Sequence, residues 1–172
     1  MTKIYPGGSG GSSEPFPRMV LSAPLSGYDV TLARSEKAVI ALRALQALPG
    51  ALTFTLQILS APGLDIHGRS SQKAAFSEPS TGQFSVDARF ADSGNPGGDV
   101  QRVHAEVLSG GGGMGRWDIS YWFRLPDPVP AETGIAVEWQ DAGILPTLLN
   151  ISPDDILKAA PEEISFLQEN AS

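Results

Sequence analysis

The chain has 172 residues, a length typical of one domain with a substantial core. Its formal net charge is −7, which disfavours phosphate-backbone binding. The absence of cysteine excludes disulfides, thiolate metal sites and cysteine nucleophiles. No apolar run approaches the roughly 20 residues of a membrane-spanning helix, so we expect no membrane partner.

Residues 1–18 are rich in glycine, serine and proline and predict a flexible arm. After Lys3 the chain soon reads PGGSGGSS, whereas a secretory signal has an apolar stretch there. We therefore expect a cytoplasmic protein. Ser9 fits G-x-S-x-G by letter, but the arm offers neither the strand nor the helix that this motif needs. Residues 19–172 are expected to form a single domain.

The first clear elements are two runs joined by the turn pair Pro49-Gly50. The second run, Ala51–Ser60, alternates apolar and polar side chains and predicts a strand. The first run, Ala38–Leu48, is rich in alanine and leucine, which also suit a helix. The turn pair and the β-type second run favour a hairpin, with the helix as the alternative.

Further alternating runs follow, separated by turn residues. The side chains expected to face inward are Phe84, Val86, Ala88, Phe90, Val103, Ala105, Val107, Trp117, Ile119, Tyr121, Phe123, Ile135, Val137 and Trp139. Antiparallel sheets with one solvated face produce such alternation. The sequence predicts an all-β fold, an antiparallel two-sheet sandwich of about seven to eight strands, immunoglobulin-like or jelly-roll-like.

A short helix is predicted near the C-terminus. Ser152 is a suitable N-cap, Pro153 suits the first helical position, and Asp154 and Asp155 favour the positive end of the helix dipole. The segment Pro161-Glu162-Glu163 repeats this start signal. We therefore expect a helical segment over residues 153–169.

Gly110, Gly112 and Gly115 fit the dinucleotide fingerprint G-x-G-x-x-G by letter. That fingerprint requires a following helix to hold the pyrophosphate, whereas RWDISYWFR is predicted to be a strand. A long flexible hairpin connection is the simpler interpretation. Its bare backbone would let a partner approach closely.

No metal or cofactor is expected. His67 and His104 lack carboxylate or histidine neighbours at metal-ligand spacing. Asp92, Asn95 and Asp99 cluster in a Gly/Pro-rich turn and offer oxygen ligands for Ca²⁺. Turn chemistry is the favoured interpretation, because Asp and Asn favour turns through local hydrogen bonds.

Several charged side chains share the outward parity and predict a solvated sheet face: Asp87, Arg89, Arg102, Glu106, Arg116, Asp118 and Glu138. Trp122 shares this parity and is expected to be covered from within the chain. A hydrolase or lyase using His104, Glu106 and Asp118 is an alternative that requires these groups to converge in a pocket.

The favoured hypothesis is a non-enzymatic protein-interaction or accessory module. Its expected contact residues are Met114, Trp117, Tyr121, Trp122 and Trp139, although Trp117 and Tyr121 share the inward parity of the core. A protein partner is expected rather than nucleic acid, with pairing of two copies through sheet edges as a further option. A carbohydrate- or calcium-dependent binding module is the remaining alternative.

The segment GGGGMGRWDISYWFRLPDPVPAETGIAVEWQDAGILPTLLNISPDDILKAA resembles a group of small uncharacterised actinobacterial proteins. In that group a glycine run, a W…YW strand, a Pro-rich turn, an E-W-x-x-x-G-I stretch and a short helix follow in order. YDVTLARSEKAVIALRALQALPGALTFTLQIL and FSVDARFADSG resemble its opening and middle. The resemblance covers most of residues 28–160. It implies an all-β fold and supplies no catalytic residues.

Overall fold

The structure is a computed structural model that describes residues 20–64, 66, 84–91, 100–159 and 161–163. It confirms the predicted all-β sandwich of antiparallel sheets. The elements are β1 Val20–Leu21, β2 Ala23–Pro24, β3 Val30–Arg34, β4 Ala38–Leu48, β5 Ala51–Ser60, β6 Phe84–Ala91, β7 Gln101–His104, β8 Glu106–Gly113, β9 Arg116–Arg124, β10 Glu132–Trp139, a 3-10 turn Gln140–Ala142, β11 Ile144–Ile151, α1 Pro153–Lys158 and β12 Glu162–Glu163.

Two sheets form the layers of the sandwich. The large sheet has the order β2-β4-β5-β9-β8, with β3 pairing to another part of β4. The small sheet has the order β11-β10-β6-β7. A separate two-stranded ribbon joins β1 to β12. Within the described residues, β8 is therefore one edge of the large sheet and β7 one edge of the small sheet.

The segment Ala38–Leu48, which also suited a helix, is a strand. It pairs with β5 from Ala38 to Leu48, because the strongly alternating β5 presents a neighbouring row of backbone groups. A bulge interrupts this ladder at Ala44, whose φ of 51° is positive. Asp29 Oδ1 accepts a hydrogen bond from the Ala44 amide at 3.0 Å, which holds the bulge in place.

The core lies between the two sheets and follows the predicted parity. Aromatic pairs join the layers: Trp117 of β9 packs edge-on against Trp139 of β10, with ring centroids 6.3 Å apart. Phe123 of β9 meets Phe90 of β6 in the same way, at 5.8 Å. Such edge-to-face pairs add stabilisation beyond their buried area.

The chain passes from the small sheet to the large sheet at Ala105. β7 ends at His104 and β8 begins at Glu106. Ala105 is buried, and its amide donates a hydrogen bond to Val86 O at 3.0 Å. Val107 lies opposite Tyr121 and shares its inward parity, which was predicted, yet it is 62% exposed. Val107 is exposed because an open cleft lies beside β8.

The glycine run is a strand and not the flexible connection that the sequence predicted. Residues 110–113 pair in register with β9, and the reversal is only two residues long. Met114 and Gly115 have φ values of 52° and 81°, the signs required by a type I′ hairpin turn. The glycines adopt the extended conformation of a strand because their backbone groups pair with those of β9.

The predicted helical segment 153–169 is too long. α1 ends at Lys158, Ala159 is already extended, and Glu162–Glu163 form a strand with β1. Pro161 explains the ending, because it has no amide hydrogen and its ring obstructs a continuing helix. Residues 164–169, the arm 1–18, His67 and the turn of Asp92, Asn95 and Asp99 lie outside the described residues. Within the described part of the chain, no helix is long and apolar enough to cross a membrane.

Candidate functional site

A cleft of about 960 Å³ opens beside β8. One wall is the inner face of β9 with the glycine run, and the other is the start of β6 with the segment that follows β5. The residues that line it are Pro62, Gly63, Leu64, Ile66, Phe84, Val86, His104, Val107, Gly110, Gly111, Gly112, Gly113, Met114, Gly115, Trp117, Ile119 and Tyr121. Most of the side chains are apolar, which is typical of ligand-binding clefts.

Two local features of the sequence create this cleft. The first is the shortness of β7, which pairs with β6 only from Asp87 to Phe90 and leaves Phe84 beyond its reach. The second is the glycine run. Gly110 and Gly112 lie opposite Ile119 and Trp117, where an ordinary strand would carry inward-facing side chains. The missing side chains leave space over the inner face of β9.

Tyr121 forms part of the aromatic wall of the cleft. Its ring stacks on Phe54, with centroids 5.7 Å apart. Burial raises the pKa of the Tyr121 hydroxyl, because the phenolate would be poorly solvated there. No hydrogen bond joins this hydroxyl to another described side chain.

A charged cluster stands where β7 ends, at the border of the cleft. Asp87 accepts a hydrogen bond from Arg102 Nε at 2.8 Å, and Arg102 Nη2 contacts the same oxygen. His104 Nδ1 lies 3.2 Å from Asp87 Oδ1. The hydrogen bond to Asp87 raises the pKa of Arg102. Asp87 thus orients both neighbours, and His104 is the one that reaches the cleft.

The burial of Asp87 corrects the prediction that it lies on a solvated sheet face. Its side chain is only 8% exposed, whereas those of Arg102 and His104 are 52% and 73% exposed. The two β7 side chains lie across the carboxylate and shield it. The outward parity of Asp87 was predicted correctly. Its carboxylate is nevertheless buried, because the long side chains of Arg102 and His104 on the neighbouring strand cover it.

The five predicted contact residues do not form one surface in this fold. Met114, Trp117 and Tyr121 line the cleft, and Met114 is fully exposed at its rim. Trp139 is 1% exposed and lies behind Trp117 in the core. Trp122 is half-buried on the opposite face of β9, where it lies across from Thr53 and Glu106. Three of the five predicted contact residues therefore line the cleft.

The three residues of the catalytic alternative do not converge. Glu106 pairs opposite Trp122, whereas Gly111 pairs opposite Asp118. The two acidic positions are thus four residues apart along β9, about 13 Å. Asp118 contacts Gln57 and Arg116 instead. In the part of the chain that the structure describes, no group of three or more His, Cys, Asp or Glu is placed to hold a metal ion.

Sequence reasoning missed the far wall of the cleft, which comes from Leu64, Ile66 and the start of β6. Phe84 and Val86 had been predicted to be core side chains, but no pattern showed that they border an open space. A usable signal was present in the glycine run. Glycine at alternate strand positions opposite bulky inward residues indicates a missing layer of side chains.

Comparison with models of known protein families finds none that matches this chain. The curated proteins likewise include no match. The resemblance to small actinobacterial proteins therefore stays a prediction, and any function is inferred from the geometry of the cleft.

Proposed function

We propose that this protein acts by binding a protein partner, and that the cleft beside β8 is the contact site. The observation that carries the proposal is the exposure of apolar side chains at the cleft rim: Val107 is 62% exposed and Met114 fully exposed. Apolar groups around a concave site favour association, because a partner removes them from water.

The chemistry of the lining favours binding over catalysis. Among the lining residues, the titratable side chains are those of His104 and Tyr121. A histidine base oriented by a carboxylate, as His104 is by Asp87, would still need a nucleophile or proton donor within hydrogen-bond reach. Among the described residues, no hydrogen bond joins His104 to Tyr121, the other titratable group of the lining. A cytoplasmic location and a carbohydrate-binding role stay predictions.

Site-specific photo-crosslinking in cells that naturally produce the protein tests this proposal. A photoreactive phenylalanine derivative replaces Val107 in one variant and Leu145 in another. Leu145 is a matched control, because it is 75% exposed but lies on β11, at the far edge of the small sheet.

We expect a discrete adduct with another protein from position 107 that position 145 does not give. The same adduct should weaken at least tenfold when Met114→Asp places a charge at the rim. Equal adducts from both positions, or no adduct from position 107, would contradict the proposal.

A further inference from the structure

We infer that the partner binds as an extended peptide segment that adds to the large sheet along β8. This inference rests on the proposed function and specifies how the partner is held. It also specifies the chemistry of the segment: side chains that alternate between apolar and basic.

The first observation is the free edge of β8. Within the described residues, β8 pairs with β9 alone, and none of these residues pairs with the backbone N–H and C=O groups on its other side. Every β8 residue except Leu108 is exposed. Unpaired backbone groups on an edge strand bind another extended chain, and natural sheets usually cover or charge such edges.

The second observation is that the glycine run along this edge carries no side chains. A Cβ atom added at Gly111 or Gly113 would meet nothing within 4 Å. Four consecutive glycines provide about 13 Å of backbone without a side chain to obstruct an incoming strand. Most edge strands block addition with bulky or charged groups, and this one has none along the glycine run.

The third observation concerns the two faces of the added strand. Side chains of a strand alternate between faces, so every second residue of a segment on β8 would point into the cleft near Trp117 and Ile119. The intervening residues would lie on the outer face, where Asp118 is ion-paired with Arg116 and the exposed Glu106 has no ion pair among the described residues. The inward positions therefore favour apolar residues, and Glu106 together with the net charge of −7 favours lysine or arginine at the outward positions.

These features favour a different chain over a second copy of this one. Two β8 strands that paired with each other would bring mostly glycine to the cleft and leave it unfilled. The net charge of −7 also repels a second copy and attracts a basic segment.

The test uses the full chain and two synthetic eight-residue peptides with a fluorescent label. One alternates leucine with lysine, and the control has the same residues as a block of leucines followed by a block of lysines. Fluorescence anisotropy at physiological salt should show the alternating peptide binding at least tenfold more tightly. Equal affinity, or no binding by either peptide, would overturn the inference.

N-methylation of the peptide backbone distinguishes strand addition from other binding modes. An edge strand pairs through alternate residues of its neighbour, so methylation should reduce affinity at least tenfold at one parity and little at the other. Hydrogen exchange of β8 amides should also slow when the alternating peptide is bound. Uniform tolerance of N-methylation, with β8 amides unprotected, would overturn strand addition.

The two proposals fail in different ways. Loss of the position-107 adduct would contradict partner binding at the cleft altogether. A retained adduct with no alternation in the N-methyl series would contradict only strand addition. Sedimentation of the protein alone provides the last measurement: a dimer that protects β8 amides and is dissociated by the peptide would make a second copy the occupant and overturn the inference.

Discussion

At the scale of single residues, two adjacent glycines of β8 have opposite requirements. A Cβ at Gly112 would lie 2.6 Å from Trp117 Cα and would also overlap Arg116 O, both backbone atoms that cannot rotate away. At Gly111 the corresponding position is open. Substitution by alanine at each position therefore tests whether close contact with the β9 backbone requires glycine.

We expect Gly112→Ala to lower the free energy of unfolding by about 1–3 kcal/mol, the usual range for overpacking. Gly111→Ala should raise it by about 0.5 kcal/mol, because alanine loses less conformational entropy on folding than glycine. Urea denaturation of both variants measures the difference. Equal effects would show that backbone approach to β9 does not determine the glycine at position 112.

Met114 is an apolar residue at a position that suits asparagine or glycine. Its positive φ of 52° is unfavourable for most side chains, and the side chain gains no burial in return. We expect Met114→Asn to raise the free energy of unfolding by about 0.5–1 kcal/mol, because asparagine tolerates the left-handed region.

The same Met114→Asn variant should bind the alternating peptide several-fold more weakly, since the rim loses an apolar contact. Thermal melting and peptide anisotropy on one preparation measure both effects. A variant that gained stability and kept full affinity would remove Met114 from the binding surface.

The sheet face on which each residue lies was predictable from the sequence, whereas the solvent exposure of its side chain was not. Alternation placed Trp117, Tyr121 and Trp139 on the inward side, and all three are buried. It could not show that Asp87 would be shielded by side chains from β7, or that Val107 would border a cleft. Those outcomes depend on which strands become neighbours, and that information lies in residues far apart in the chain.

At the scale of elements, Tyr28 ties the segment before β3 to the start of α1. Its hydroxyl donates to Asp155 Oδ2 at 2.8 Å and accepts from the Ser152 amide at 2.9 Å. Ser152, the N-cap residue, makes no side-chain capping bond, and its own amide donates to Tyr28, which takes the acceptor role of the third-position side chain in a capping box. Burial, more than the Asp155 contact, raises the pKa of Tyr28.

We expect Tyr28→Phe to lower the free energy of unfolding by about 1–2 kcal/mol through loss of these two hydrogen bonds. The effect of Asp155→Ala should be smaller in the Tyr28→Phe background than in the parent protein, because the two groups share one bond. Urea denaturation of the four proteins in this cycle measures the coupling. Strict additivity would show that the Tyr28–Asp155 bond contributes nothing.

Elements with strong alternation were predictable, and those with weak intrinsic preference were not. β5 and β9 follow from their apolar patterns. β8 was missed because glycine has a low strand preference, and its pairing comes from β9. β11 was missed because Pro146 interrupts the pattern, although proline is acceptable on an edge strand such as this one.

At the scale of the whole molecule, stability should depend on pH above about 10 through Tyr121. Burial raises the pKa of this hydroxyl in the folded chain above the unfolded value of 10.0. Between the two pKa values the unfolded chain has lost the proton and the folded chain keeps it. The free energy of unfolding therefore falls as pH rises, by at most about 1.4 kcal/mol per pH unit from this group.

We expect Tyr121→Phe to match the parent protein closely at pH 8 and to lose less stability between pH 8 and pH 11. Urea denaturation at the two pH values compares the proteins. The comparison isolates Tyr121, because all other titrating groups are common to both chains. Parallel losses in the two proteins would show that the hydroxyl titrates freely in the folded state.

The glycine run also bears on how the protein behaves at high concentration. Amyloid-like aggregation depends on edge segments with high strand propensity and interlocking side chains, and four glycines offer neither. A glycine edge leaves its backbone accessible to a specific partner, but it offers no side chains that could interlock between identical copies. Valine or isoleucine at Gly111 and Gly113, the two positions of the run with room for a Cβ, would raise the aggregation tendency of this edge.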